Sequence, residues 1–205
     1  MLFINQNDYP HIPYPTELEH PDSFNATKGT VKTSGCGLCS ACMVVDLLTL
    51  DKLELMDCLE MSVKNKANME PGTDMLILGP VFAKKYKLTM TTSNKIKDVI
   101  KCLQNGGAVI ANPGGDQKEK DYIGVFTHGG HYIVIADYNK ETEEFLILDP
   151  SYSKNKFKTK GRKGKVREAA PLVYAKADLL IKECSNRDPG FYLFTRKEDN
   201  KTIRR

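Results

Sequence analysis

From Leu38 to Leu50 the chain is almost wholly apolar, and it enters that stretch straight from Thr33-Ser34-Gly35-Cys36-Gly37. A segment this long and this apolar has to be buried on every side, and it predicts a core helix from Ser34 to about Leu50 around which the rest of the chain must pack. Ser34 suits the N-cap, with Cys36 near the second helical position; a Thr33 cap shifts that register by one. Either way a thiol stands in the first helical turn, among unpaired backbone N–H groups and the positive end of the helix dipole, and both favour thiolate over thiol.

The flanking sequence sorts into two halves. Residues 1–35 are rich in Pro, Asn, Asp and Tyr without sustained periodicity, and read as an irregular arm with one short strand near Leu2 to Gln6. Residues 36–104 read as mainly helical. One or two short helices are expected in Asp51 to Asn68, and another from a Thr73 or Asp74 cap to about Tyr86. An amphipathic helix over Lys95 to Gln104 carries Ile96, Val99, Ile100 and Leu103 on one face. Residues 105–197 turn to β character, with runs at Ala108–Ala111, Tyr132–Ala136, Phe145–Leu148, Leu172–Tyr174 and Phe191–Phe194; residues 198–205 read as a tail. Helices first and strands later imply a segregated α+β fold, and 205 residues suit one core.

The second half supplies the partners a cysteine nucleophile needs. Gly129-Gly130-His131 opens one strand-like run and Asp149-Pro150 closes the next. A hairpin with a three- or five-residue loop sets His131 directly opposite Asp149 on one face, whereas a four-residue loop puts them on opposite faces, because side chains alternate with period two. An odd loop is therefore expected. His128 is a second candidate base, in the loop before His131. Each piece also has an ordinary structural reading. A cysteine in an apolar helix is usually a small core residue, and Asp-Pro usually makes a turn. It is the ordered set of three that points to chemistry.

That set resembles the papain-like cysteine peptidases related to the double-glycine leader peptidases of bacteriocin exporters, particularly their stand-alone relatives. The matching segments are Gln6-Asn7-Asp8-Tyr9, Ser34-Gly35-Cys36-Gly37 with Ala41-Cys42-Met43, Gly130-His131-Tyr132-Ile133-Val134 and Leu148-Asp149-Pro150, covering about Gln6 to Pro150. The resemblance implies a papain-like fold in which the Cys36 helix packs on a C-terminal antiparallel sheet. It implies Cys36 as nucleophile, His131 as general base and acid, Asp149 as its orienter and Gln6 as a side-chain oxyanion donor, acting on a peptide or protein substrate through a thioester without metal or organic cofactor. In the exporter-linked enzymes the glutamine stands only a few residues before the cysteine; here it lies 30 residues upstream, flanked by Asn5 and Asn7.

Other classes compete for the same residues. Cys36-Gly37-Leu38-Cys39 has the Cys-x-x-Cys form of a dithiol oxidoreductase, but the strand and βαβ unit expected around such a motif are missing. Cys36, Cys39 and Cys42 as metal ligands diverge around a helix axis at about 100° per residue, and no second cysteine pair joins them. A binding module that keeps the fold without activity is the remaining class. The six cysteines read as reduced thiols, since a chain of this size needs no staples. Eight of the 30 basic residues fall in Lys154 to Arg167 with no acid among them, so the rest of the chain holds more acidic than basic residues. That run reads as a solvated loop or charged edge strand, not as a nucleic-acid site, although it lies close enough to Asp149 to flank a cleft. No apolar run approaches the roughly 20 residues of a membrane span. Met1 to Asn5 lack the build of a signal peptide, and a cytoplasmic location is expected unless an export segment precedes them.

Overall fold

The structure, a computed structural model, describes residues 1–197; the expected tail at 198–205 lies outside the described residues. In chain order the helices α1 (Phe24–Lys28), α2 (Val31–Ser34), α3 (Cys36–Leu48), α4 (Leu55–Lys64) and α5 (Met75–Lys85) come first. They are followed by β1 (Leu88–Ser93), α6 (Ile96–Gln104), β2 (Ala108–Ala111), β3 (Ile133–Asn139), β4 (Glu144–Leu148), β5 (Arg167–Ala169), β6 (Leu172–Lys176), α7 (Ala177–Glu183) and β7 (Phe191–Arg196). The seven strands form one antiparallel sheet in the order β1-β7-β2-β3-β4-β6-β5. This is the α+β arrangement expected, with the Cys36 helix packed on an antiparallel sheet.

Alternation along the strands sends side chains into two cores. Ile110, Val134, Leu148, Tyr192 and Phe194 meet Leu38, Met43, Leu78 and Phe82 from α3 and α5, and Phe82 stacks on Phe194 with ring centroids 4.9 Å apart. Val109, Ile133, Ile135, Ile147, Val173 and Leu193 point the other way, onto Val99 and Leu103 of α6 and Leu180 of α7. With both faces covered, the central strands must be apolar at consecutive positions, which is why they read as unbroken runs. α3 is buried from Gly37 to Val45 because helices lie on one side of it and the sheet on the other.

Several local expectations need correction. Residues 2–6 form no strand; Gln6–Asp8 make a 3-10 turn capped by Asn5, whose side chain accepts from the N–H of Asn7. Neither Ser34 nor Thr33 caps the core helix. The chain makes the short α2 first, kinks at Gly35 and starts α3 at Cys36 itself, with Gly35 as N-cap. Asp74 does cap α5, accepting from Leu76 N–H at 2.8 Å. The strand β1 was not anticipated. It is an edge strand whose Thr89, Thr91 and Thr92 are exposed or nearly so, and threonines at an edge carry little apolar signal.

The irregular arm is tied down by one buried side chain. Tyr14 is fully buried, and its hydroxyl meets Ser62 of α4 at 2.7 Å and Thr73, just before α5, at 2.8 Å. This network fixes the Pro71–Gly72 turn, which forms one wall of the cleft at the start of α3.

Candidate active site

Cys36 is the first residue of α3 and is partly exposed, whereas the other five cysteines are buried; all six are free. The glycines around it serve the protein's own packing before any substrate. A Cβ on Gly37 would stand 2.6 Å from Thr73 Cβ, and one on Gly35 2.5 Å from the Val31 carbonyl oxygen. Their small size lets α3 start hard against α2 and the Thr73 turn, and so aims the thiol at the sheet.

His131 lies two residues ahead of β3, its N–H donating to Pro113 O at 3.1 Å, and it is 7 % exposed. Its side chain borders the same recess as Cys36 and acts on the thiol. Nε2 faces Asp149 Oδ1 at 2.8 Å and Ser151 Oγ at 3.0 Å, which leaves Nδ1 for the sulfur.

The route by which His131 and Asp149 meet differs from the expected one. Asn139 pairs with Glu144, so the hairpin loop has four residues, Lys140 to Glu143, and the expectation of an odd loop was wrong. A bulge at Ala136 restores the alignment: the pairing passes from Asp137 opposite Leu146 to Ile135 opposite Ile147, with Ala136 unpaired. One extra residue reverses the alternation that an even loop imposes. Carried past the strand ends, the register sets Asp149 opposite Ile133, with His131 two positions further along the same face.

Asp149 is fully buried and saturated with donors. Besides His131, its Oδ1 accepts from Ser151 N–H at 2.9 Å and Ser151 Oγ at 3.1 Å, while Oδ2 accepts from Lys156 Nζ at 2.6 Å. Lys156 Nζ also donates to Ser151 Oγ at 2.6 Å. Lys156 and Ser151 are the site residues that sequence reading missed. Lys156 stood among the lysines of a run that looked solvated, and only its place seven residues after Asp149 hinted otherwise. The basic run is mostly turns, as expected, with its last residue entering the edge strand β5, but Lys156 and Arg162 turn inward from it.

The electrostatics follow from these contacts. Burial pushes the Cys36 thiol up. The hydrogen bond to His131, the charge of its ring and backbone hydrogen bonds from Tyr132 and Gly37 outweigh burial and leave the thiol below its ordinary value. Burial pushes His131 down, and the hydrogen bonds and charges of Asp149 and Cys36 lift it above the usual imidazole range. Burial also opposes the Asp149 carboxylate, but the Lys156 charge and the His131 hydrogen bond hold it far below the ordinary carboxylate value. A thiol that ionises early against an imidazole that holds its proton is the pairing a sulfur nucleophile requires.

Gln6 reaches this neighbourhood from the arm. Its N–H donates to Pro150 O at 2.7 Å and its Nε2 to Lys32 O at 2.6 Å, four residues before Cys36, while its Oε1 is buried without a partner. One Nε2 hydrogen remains for another acceptor. The flanking Asn5 is engaged elsewhere, donating to Tyr152 O. The His128 side chain is 67 % exposed and bonded through Nδ1 to Asp116. Cys39 lies wholly inside, and burial pushes its thiol well up. Among the described residues no group of three or more His, Cys, Asp or Glu side chains is placed to hold a metal ion, and no helix is long and apolar enough to cross a membrane.

Comparison with known proteins agrees with this architecture. The crystal structure of a Bacillus anthracis protein assigned as a C39-like peptidase superposes with a TM-score of 0.56, covering 92 % of this chain and 96 % of that one at 14 % identity, a likeness of fold. No curated protein matches the sequence. The sequence does fit the description of the Peptidase_C39 like family over residues 3–176, and on that match the chain belongs to the Peptidase_C39 like family.

Proposed function

We propose that this protein is a cysteine peptidase that hydrolyses a peptide or related amide bond through a thioester on Cys36. The observation that carries the reading is the convergence of Cys36 and His131 on one recess, with His131 bonded to Asp149 behind it, assembled from a helix start and the two ends of a bulged hairpin. Cys36 Sγ attacks the scissile carbonyl carbon and the carbonyl π pair moves onto oxygen. The N–H groups at the start of α3 and the Nε2 of Gln6 stabilise that oxyanion. His131 gives its proton to the leaving amine as the C–N bond breaks. It then takes a proton from water as the water oxygen attacks the thioester, and the thiol is regenerated. Asp149 keeps the imidazole in one tautomer and orientation, and Lys156 and Ser151 hold Asp149.

The test is mass spectrometry of the full chain after exposure to an epoxide peptidase inhibitor under reducing conditions. A single adduct on Cys36 that disappears in His131→Ala is the expected outcome. Labelling spread over several cysteines, or unchanged by His131→Ala, refutes the assignment.

A further inference from the structure

The recess that holds Cys36 and His131, and a larger one beside it that is lined by Ser151, are both basic. The larger, about 750 Å³, runs past Ser151 and is lined by Lys32, Lys156, Lys160 and Arg162. The smaller, about 230 Å³, holds Cys36 and His131 themselves and is bordered by Arg187. Neither is lined by any Asp or Glu. Lys156, Lys160 and Arg162 come from the basic run at 154–167, whereas Lys32 and Arg187 belong to the rest of the chain, which carries more acidic than basic side chains.

The two arginines are incompletely satisfied. Arg162 is 7 % exposed; its Nε donates to Gly124 O at 2.9 Å, but its Nη2 is buried with no hydrogen-bond partner. The Nε of Arg187 is likewise buried and unpartnered. Among the described residues neither forms an ion pair. Asp116, close enough to Arg162 to feel its charge, is occupied by His128 and by Gly124 N–H. Asp188, beside Arg187 in sequence, accepts from Asn94. A buried guanidinium donor without a partner is costly, and a bound anion is one of the ways such a group is satisfied. The fork of a guanidinium fits a carboxylate in two parallel bonds, and exposed lysines around it add attraction at longer range.

Resting on the peptidase reading, we propose that the cleft selects acidic peptides, with Asp or Glu side chains flanking the bond presented to Cys36 held by Arg162 and the lysines around it, and by Arg187 on the thiol side. The larger recess lies beside the site on the Nε2 side of the imidazole: Ser151 and Lys156 line it, and Ser151 hydrogen-bonds His131. A chain laid across Cys36 meets Arg187 in the smaller recess, and its side chains that pass His131 toward Ser151 meet the cations of the larger one.

Fluorescence anisotropy of a fluorescein-labelled oligoglutamate against the full-length Cys36→Ala protein, at low and physiological salt, tests this without requiring turnover. Oligoglutamate is expected to bind at least about tenfold tighter than the oligoglutamine of equal length, as charge-assisted pairs exceed neutral ones. Arg162→Gln should remove most of that preference. Because Arg162 also braces Gly124, the exposed pair Lys32→Gln/Lys160→Gln provides a second variant, expected to weaken binding without loss of thermal stability. Equal affinity for the two peptides overturns the proposal. So does an unlabelled single-stranded oligonucleotide, or inorganic phosphate at millimolar concentration, that displaces oligoglutamate with the same dependence on Arg162, since the cleft then reads negative charge of another kind. Glutamate preference without an inhibitor adduct on Cys36 refutes the peptidase reading and leaves the acidic selectivity standing. An adduct without the preference refutes the selectivity alone.

Discussion

Replacing Lys156 with Met probes the least expected part of the site. Lys156 Nζ stands 2.6 Å from Asp149 Oδ2, and both side chains are withdrawn from water. Removing one partner of a buried ion pair costs roughly 3–5 kcal/mol. Two features lower that figure here: Asp149 keeps donors from His131 and from the Ser151 N–H and hydroxyl, and Met spares the desolvation of an ammonium. The expected loss is about 2–4 kcal/mol at neutral pH. For a chain of this size that is a fall in Tm of roughly 5–15 °C. The dependence on pH has a definite sign. The folded Asp149 carboxyl ionises far below its unfolded value, so its contribution is complete above about pH 4 and is lost as pH falls from there toward the folded pKa. In Lys156→Met the folded and unfolded values lie closer together, and the gap between variant and wild type therefore narrows below about pH 4. Thermal denaturation followed by circular dichroism across that range measures both quantities. A variant within about 0.5 kcal/mol of wild type at pH 7, or a gap that stays constant into acid, refutes the claim that Lys156 sustains the Asp149 charge.

Alkylation of Cys36 by iodoacetamide should rise with pH at a midpoint below that of a free thiol, about 8.5, and His131→Ala should move the midpoint up. An unmoved midpoint denies the coupling. Turnover of a fluorogenic peptide pool should fall by about 10²–10⁴-fold in His131→Ala and by a smaller factor in Asp149→Asn, because Asp149 orients the base and moves no proton; the reverse order counts against the assigned roles. Gly37→Ala places a Cβ 2.6 Å from Thr73 Cβ, and should lower stability by about 1–3 kcal/mol in chemical denaturation, with a loss of activity as the Pro71–Gly72 wall shifts. Tyr14→Phe removes the hydroxyl joining Ser62 and Thr73, at about 1–3 kcal/mol, and full stability in that variant denies that the network anchors the arm.

What the sequence disclosed and what it hid divide along the range of the interactions concerned. Burial of α3, the amphipathic α6 and the apolar runs of β2, β3, β4, β6 and β7 are consequences of local composition, and composition is visible. The short α2 ahead of Cys36 was hidden, because Ser34 and Thr33 offer equally good caps and only the kink at Gly35 decides between them. The edge strand β1 was hidden because threonines facing solvent look like loop. Parity reasoning at the hairpin was sound in itself. An even loop does separate His131 from Asp149, but nothing in Ile135-Ala136-Asp137 announces the unpaired residue that reverses it. Lys156 could not be told from Lys154 or Lys158 by type, since its burial comes from the turn after Pro150 folding back over Asp149. The resemblance placed Cys36, His131 and Asp149 in one group; His131 bonds Asp149 and borders one recess with Cys36. They bring Gln6 only as far as Lys32 and Pro150.

Lys156 also bears on how the proposed chemistry distributes its charge. During turnover the proton shared by Cys36 and His131 changes owner, so the ring beside Asp149 is cationic at one moment and neutral at another. A fully buried carboxylate paired only with that ring would lose its counter-charge each time the ring became neutral, and its own proton affinity would rise. Here the two oxygens are divided: Oδ1 serves His131, and Oδ2 serves Lys156, whose charge does not depend on the reaction. Asp149 therefore stays ionised through both states of the ring, can hold the imidazole by Nε2 throughout, and has no reason to take the proton. The same lysine lines the larger recess, so an acidic side chain bound there draws on Lys156 from the opposite side. Strong competition for it would loosen Asp149 and slow the chemistry. An acidic substrate is thus best held by Arg162, Lys160 and Lys32, which have no carboxylate of their own to release.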